Sequence, residues 1–279
     1  MYVEPNPRYR DPYEIDDDTE VAGEVVLLED GEGALEAHDL DPALPDAPLY
    51  FVDGVRRSDF RVHDFLDDGT VVRGLGGSYG VGAVRCAPDT RPHFSHEVIQ
   101  RVLLWTHGHG EALTPAGGWA WEVHALAIED PEHLLPALQR RMRDAEADLA
   151  DELAAEGALV VRDGPLNRFY GINVDVVGLV KSHYQAYLPA EVHRRVPGVI
   201  DRPGQRTSLF RLRDEVWGCY LRLPITGRVS PWNGIVRVTS FSTRHCDVHC
   251  HLPVTIQSAV VDDLPMQCRG RLAYSPPPD

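Results

Sequence analysis

Apolar residues in this chain fall into short runs separated by turn residues, with one long exception that repeats at helical spacing. The run Leu49-Tyr50-Phe51-Val52-Asp53-Gly54 has the pattern of a buried strand stopped by an Asp-Gly turn, which puts a carboxylate at a strand's end. Val71 to Cys86 is rich in glycine (Gly74, Gly76, Gly77, Gly80, Gly82) and reads as strands bent around those glycines. It lacks the Lys-Ser/Thr and the helix start that a phosphate-cradling loop requires. From Pro131 to Glu156, Leu135, Leu138, Met142, Ala145, Leu149 and Leu153 recur at three- and four-residue steps, which predicts an amphipathic helix ended by Gly157. Ala158 to Pro165 then repeats the first shape, a short apolar strand ending in Asp163-Gly164. Val176 to Lys181 reads as another strand or buried segment, and Ser208 to Leu212, Trp217 to Leu223 and Gly234 to Thr239 read as strands, so the class is mixed α/β.

The 279 residues, 43% of them hydrophobic, suffice for one substantial core. Residues 1 to 47 carry the run Asp16-Asp17-Asp18 and several prolines, and read as an N-terminal arm with one strand or short helix. The main domain spans 48 to 240, and 241 to 279 forms a tail ending in Ser275-Pro276-Pro277-Pro278-Asp279. No basic leader precedes an apolar stretch and no 18 apolar residues run together, so the expectation is a cytoplasmic protein without a membrane partner. Five thinly spread cysteines fit reduced thiols rather than a disulfide framework. A net charge of -16 excludes holding DNA by the whole surface, because phosphate binding draws on clustered Lys and Arg. Nucleic acid would have to meet a local basic path, metal ions or a partner.

An Asp-Gly pair after a strand is most often only a turn. Two such strand ends change the balance, since neighbouring strands would bring Asp53 and Asp163 together, where like charges invite a metal ion. Glu146 falls four residues after Met142 and three before Leu149, inside the apolar stripe of the helix, whereas Asp144, Asp148 and Asp151 point elsewhere. A carboxylate on a core-facing side is costly unless paired or bound to metal; the bland alternative is an edge-of-stripe Glu whose head reaches water. Glu122 is the competing third acid. Three carboxylates from two strands and a helix are what metal-assisted phosphodiester hydrolysis needs, because hard Mg²⁺ or Mn²⁺ prefers oxygen ligands.

Phe51-Val52-Asp53-Gly54, the acid at Glu146 on a long helix, and Leu159-Val160-Val161-Arg162-Asp163-Gly164-Pro165-Leu166 together resemble the NurA nucleases. Gly178-Leu179-Val180-Lys181-Ser182 and the pair Tyr220 to Pro224 with Gly234 to Val238 extend the likeness over residues 48 to 240. The resemblance implies an RNase H-like sheet flanked by helices, with Asp53, Glu146 and Asp163 as metal ligands and Lys181 near the scissile phosphate. It also implies Mn²⁺- or Mg²⁺-dependent endonuclease and 5′ to 3′ exonuclease activity on DNA, a homodimer, and a hexameric HerA-type ATPase partner in end processing, break repair or phage defence.

The likeness stops at the C-terminus, where the family has a further helix and a histidine-bearing motif. Here the chain reads Thr243-Arg244-His245-Cys246-Asp247-Val248-His249-Cys250-His251. Either Asp247, His249 or His251 supplies the missing function, or a frame change replaced the tail. Cys246, His249, Cys250 and His251 lie too close together to close a usual tetrahedral zinc site alone; Thr106-His107-Gly108-His109-Gly110 offers further ligands in principle, but reads first as a solvated polar loop. Two rival functions compete with the nuclease: a metal-dependent phosphoesterase acting on small substrates, and a non-catalytic binding subunit.

Overall fold

The computed structural model describes residues 1–5, 26–27, 35–39, 47–87, 90–113, 120–166, 175–181, 186–213, 216–224 and 230–241. In chain order the strands are β1 (Tyr2–Pro5), β2 (Val26–Leu27), β3 (Ala37–Asp39), β4 (Leu49–Phe65), β5 (Val71–Ala87), β6 (Thr90–Trp105) and β7 (Glu122–Ala125). A 3₁₀ turn, Pro131–His133, leads into helix α1 (Leu134–Ala155), followed by β8 (Leu159–Asp163) and β9 (Val176–Val180). Helix α2 (Ala190–Val199), β10 (Gln205–Thr207), β11 (Phe210–Arg213), β12 (Val216–Arg222) and β13 (Ile235–Ser240) complete the order. The Asp130 carboxylate accepts from Glu132 N–H and Pro131 follows it, which caps the 3₁₀ turn leading into the helix.

All strands join one mixed sheet, whose main path runs β2-β11-β12-β13-β9-β8-β4-β5-β6-β7. Its centre is the five-strand order β6-β5-β4-β8-β9. In the first three strands each is antiparallel to its neighbour, while β4, β8 and β9 are parallel. The chain leaves the meander at β7, crosses the sheet as α1 and re-enters as β8 beside β4. A three-strand meander, a helical crossover and two added parallel strands form the RNase H-like arrangement of a mixed α/β protein.

Helix α1 covers one face. Its Met142, Leu149 and Leu153 pack with Tyr50, Val52, Val81 and Val160, and Leu134 and Leu138 pack with Leu75, Val102 and Leu104. Each such leucine contributes roughly 2 kcal/mol by leaving water. On the other face Leu49, Leu159, Val161 and Val177 meet Leu209, which precedes β11, and Leu221 and Val238 from the later strands. Strand alternation therefore sorts odd and even positions of β4 and β8 onto opposite faces.

Two sequence expectations change here. Asp53 is not at a strand end, because β4 continues to Phe65 as a 17-residue strand. Gly54 is extended strand, and its lack of a side chain serves a close approach rather than a turn. The glycines of 71–86 do not divide that stretch either, since β5 is continuous and its glycines make room for packed neighbours: a Cβ at Gly76 would lie 2.1 Å from the Phe60 ring, and one at Gly77 2.5 Å from Leu138. The described residues of the 1–47 arm pair with the main sheet, β1 with β4 and β3 with β10.

Candidate active site

The second edge of β4 is shared. β8 runs beside residues 49–52 and β1 beside residues 60–63, so 53–59 lie between the two partners. The candidate residues gather at this step, where β8 ends and β4 continues. Val52 pairs with Arg162, which places Asp53 and Asp163 at adjacent register positions on parallel strands about 4.8 Å apart. Asp163 is the last residue of β8, and Gly164 turns the chain away with φ +84. Lys181 follows β9, the next strand over, and its Nζ lies 2.7 Å from Asp163 Oδ1. The carboxyl ends of parallel strands are where open α/β sheets present their ligand sites.

Glu146 reaches the same region from α1. Its side chain is only 4% exposed, although it is acidic. Its carboxylate rests against Gly54: a Cβ built there would stand 2.5 Å from Glu146 Oε1 and 2.9 Å from Met142 Cγ. Burial, with the negative charges of Asp53 and Asp163 adding to it, pushes the Glu146 carboxyl up to about 7, against the opposing pull of Arg162 and Arg143. Arg162 alternates onto the α1 face, is itself buried, and donates from Nη2 to the carbonyl of Pro165 at 2.5 Å.

The four residues are thus drawn together from β4, α1, β8 and the end of β9, but not onto one face. Tyr50, Val52 and the Gly54 position face α1, so alternation turns Asp53, like Asp163 and Lys181, to the opposite side of the sheet. Among the described residues Asp53, Glu146 and Asp163 do not form a group whose ligand atoms all lie within 4.8 Å of one another. Asp53 and Asp163 present the oxygen-only donors that a hard divalent ion takes. Glu146 lies behind them, a buried acid separated from Asp53 by the bare backbone of Gly54.

Glu122 stands apart. It begins β7, on the far side of β5 and β6 from β4, and is engaged with His124 at 3.3 Å. Asp247, His249, His251 and the cysteines of the 246–251 cluster lie outside the described residues. Sequence reasoning missed the buried Arg162, the role of Gly54, and a group of Asp64, His109 and Glu111 whose ligand atoms do lie within 4.8 Å of one another. Asp64 and His109 are 45 positions apart, and nothing in their local sequence links them.

The strand order and crossover define the class as an RNase H-like mixed α/β protein. No family model and no curated protein matches the sequence. Among solved structures the chain is similar to the crystal structure of the NurA nuclease from Sulfolobus solfataricus, with a TM-score of 0.45 and 10% identity over 85% of this chain and 84% of that one.

Proposed function

We propose that this chain is a divalent-metal-dependent nuclease that hydrolyses phosphodiester bonds in DNA. The observation that carries the reading is the pairing of Asp53 and Asp163 at adjacent positions of parallel strands, at a step in the sheet edge, backed by the buried carboxylate of Glu146. Two strand carboxylates at this spacing repel each other unless a cation lies between or beside them. Asp53 and Asp163 would hold Mn²⁺ or Mg²⁺, with Glu146 the buried acid behind them; when bound, the ion supplies an activated water and stabilises charge on the leaving oxygen.

The chain's own groups do the rest. Lys181, 61% exposed and anchored by Asp163, offers a cation to a phosphate entering the step. Beyond Asp53 on the same face, cross-strand register lines up Val55, Gly80 and Ile99, then Arg57, Ser78 and Arg101. Val55 and Ile99 are 72% and 60% exposed over a glycine floor, which suits an unpaired base better than a duplex backbone. The proposal includes a homodimer and a HerA-type ATPase that would deliver DNA and so offset the net charge of -16. On this reading the chain would act as a single-strand endonuclease and 5′ to 3′ exonuclease in DNA end processing.

The test is cutting of labelled single-stranded DNA under Mn²⁺ by the full chain and by its Asp53→Asn and Asp163→Asn variants, with a small phosphomonoester as control substrate. The parent should cut DNA, and each variant should be slower by about three orders of magnitude or more while remaining folded. Near-normal cutting by either variant, or hydrolysis of the monoester alone, defeats the reading.

A further inference from the structure

We infer that Asp64, His109 and Glu111 form a second divalent-metal site, at the opposite end of β4 from the candidate active site. Asp64 lies 11 positions beyond Asp53 along one strand, roughly 35 Å at about 3.3 Å per residue, so the two groups cannot share an ion. The inference does not rest on the nuclease reading.

The three ligand atoms all lie within 4.8 Å of one another. His109 Nε2 is 3.7 Å from Asp64 Oδ2, beyond hydrogen-bonding distance. It is also a buried nitrogen with no hydrogen-bond partner. Leaving such an atom unpaired is costly, and a cation between it and the carboxylate satisfies both. Two ligand atoms about 2.1 Å from a tetrahedral ion lie about 3.4 Å apart, so Nε2 and Oδ2 need close by only a few tenths of an ångström. Glu111 is exposed and free to adjust its reach.

The surrounding chain holds these ligands in place. His107 and Gly108 take left-handed conformations, φ 57 and φ 68, which fold the loop back so that His109 N–H donates to Thr106 O. Thr106 Oγ1 accepts from Arg73 N–H and donates to Arg73 O, tying the loop's start to β5. The Trp105 ring meets the His109 ring edge-on at 4.4 Å, and Trp105 Nε1 donates to Glu111 O at 2.8 Å, so one buried indole positions two of the three ligands. On Asp64, Oδ1 accepts from Phe65 N–H and lies 3.2 Å from the Met1 amine, which leaves Oδ2 directed at His109. Outer-shell contacts of this kind fix ligand orientation in metal sites.

One imidazole and two carboxylates suit a borderline ion such as Zn²⁺ or Co²⁺ better than Mg²⁺ or Ca²⁺, and two negative charges neutralise it. Three protein ligands leave a position for water. The ion would tie the end of β4 to the loop after β6, closing the far end of the long meander.

The experiment loads the metal-stripped full chain, carrying Asp53→Asn and Asp163→Asn to silence the other group, with Zn²⁺ or Co²⁺. A single equivalent of Zn²⁺ should survive desalting, Co²⁺ should give the visible absorption of a low-coordinate site, and thermal unfolding should move upward. Adding His109→Gln, or Glu111→Gln at an exposed position where folding is not at stake, should weaken Zn²⁺ binding about 10-fold or more. Failure of the double variant to retain Zn²⁺, or retention unchanged by both Glu111→Gln and His109→Gln, overturns the site.

Discussion

Lys181 and Asp163 stand 2.7 Å apart, an ion pair that joins the ends of β9 and β8 at the step in the β4 edge. The pair is exposed on both sides, so its stabilising effect is under about 1 kcal/mol. If its purpose is to hold a cation ready for phosphate, Lys181→Ala should lower Mn²⁺-dependent cutting by about 10- to 100-fold and leave thermal unfolding unchanged. Lys181→Arg should recover part of the rate. An unaffected rate in Lys181→Ala would reduce the lysine to a surface ion pair.

Gly54 is where the helix acid meets the strand. Gly54→Ala would drive a methyl to 2.5 Å from Glu146 Oε1 and 2.9 Å from Met142 Cγ, both in a packed interior. The expected loss is about 1–3 kcal/mol in urea unfolding, because overpacking forces side chains off their preferred rotamers. Gly80→Ala on the same sheet meets only ordinary contacts at 3.8 Å and beyond, and should be nearly neutral by comparison. Equal stability of the two variants would mean that Glu146 does not lie against Gly54.

Glu146 makes stability depend on pH in a direction opposite to that of a salt-bridged acid. Its carboxyl sits at about 7 in the folded chain against 4.5 ordinarily, so between those values the folded state keeps a proton that the unfolded state has lost. Stability therefore falls as pH rises from about 4.5 to 7, by roughly 3 kcal/mol in full. In EDTA, Glu146→Gln should be more stable than the parent at pH 8, and that advantage should shrink towards pH 5. Parallel unfolding curves for parent and variant across this range would remove Glu146 from a buried, charge-crowded position.

The acidity of the chain bears on the proposed DNA substrate. With a net charge of -16, binding by the chain alone should be weak and should fall steeply with salt, since the overall charge repels phosphate and contacts with a few basic side chains are screened. Fluorescence anisotropy with a single-stranded oligonucleotide over a salt series checks this. Tight binding that ignores salt would contradict it.

How much of this was legible in the sequence follows from the range of the forces involved. The α1 stripe is a local, periodic signal, and it located both the helix and the buried Glu146, because a core-facing acid breaks a 3.6-residue pattern in a way that can be counted. The apolar runs at 49–53 and 159–163 likewise announced two strands, and the turn at Gly164 matched its positive φ. Asp53-Gly54 looked the same on paper as Asp163-Gly164 and behaves differently, since β5 pairs with β4 along its whole length and carries it through to Phe65. Turn propensity yields there to a ladder of tertiary hydrogen bonds.

The tertiary structure alone decided the rest. Only the order β6-β5-β4-β8-β9 sets Asp53 beside Asp163, and only the register of β4 with β8 turns both away from the helix that carries Glu146. The loop at 106–110, which reads as a solvated polar segment, gains a half-buried histidine because two left-handed residues fold it back onto Trp105 and the end of β4. Periodicity along a chain reports which side of an element is dry. Which elements meet, and so which distant acids and histidines come within reach of one ion, depends on sheet pairing between residues tens of positions apart, and that information is not local.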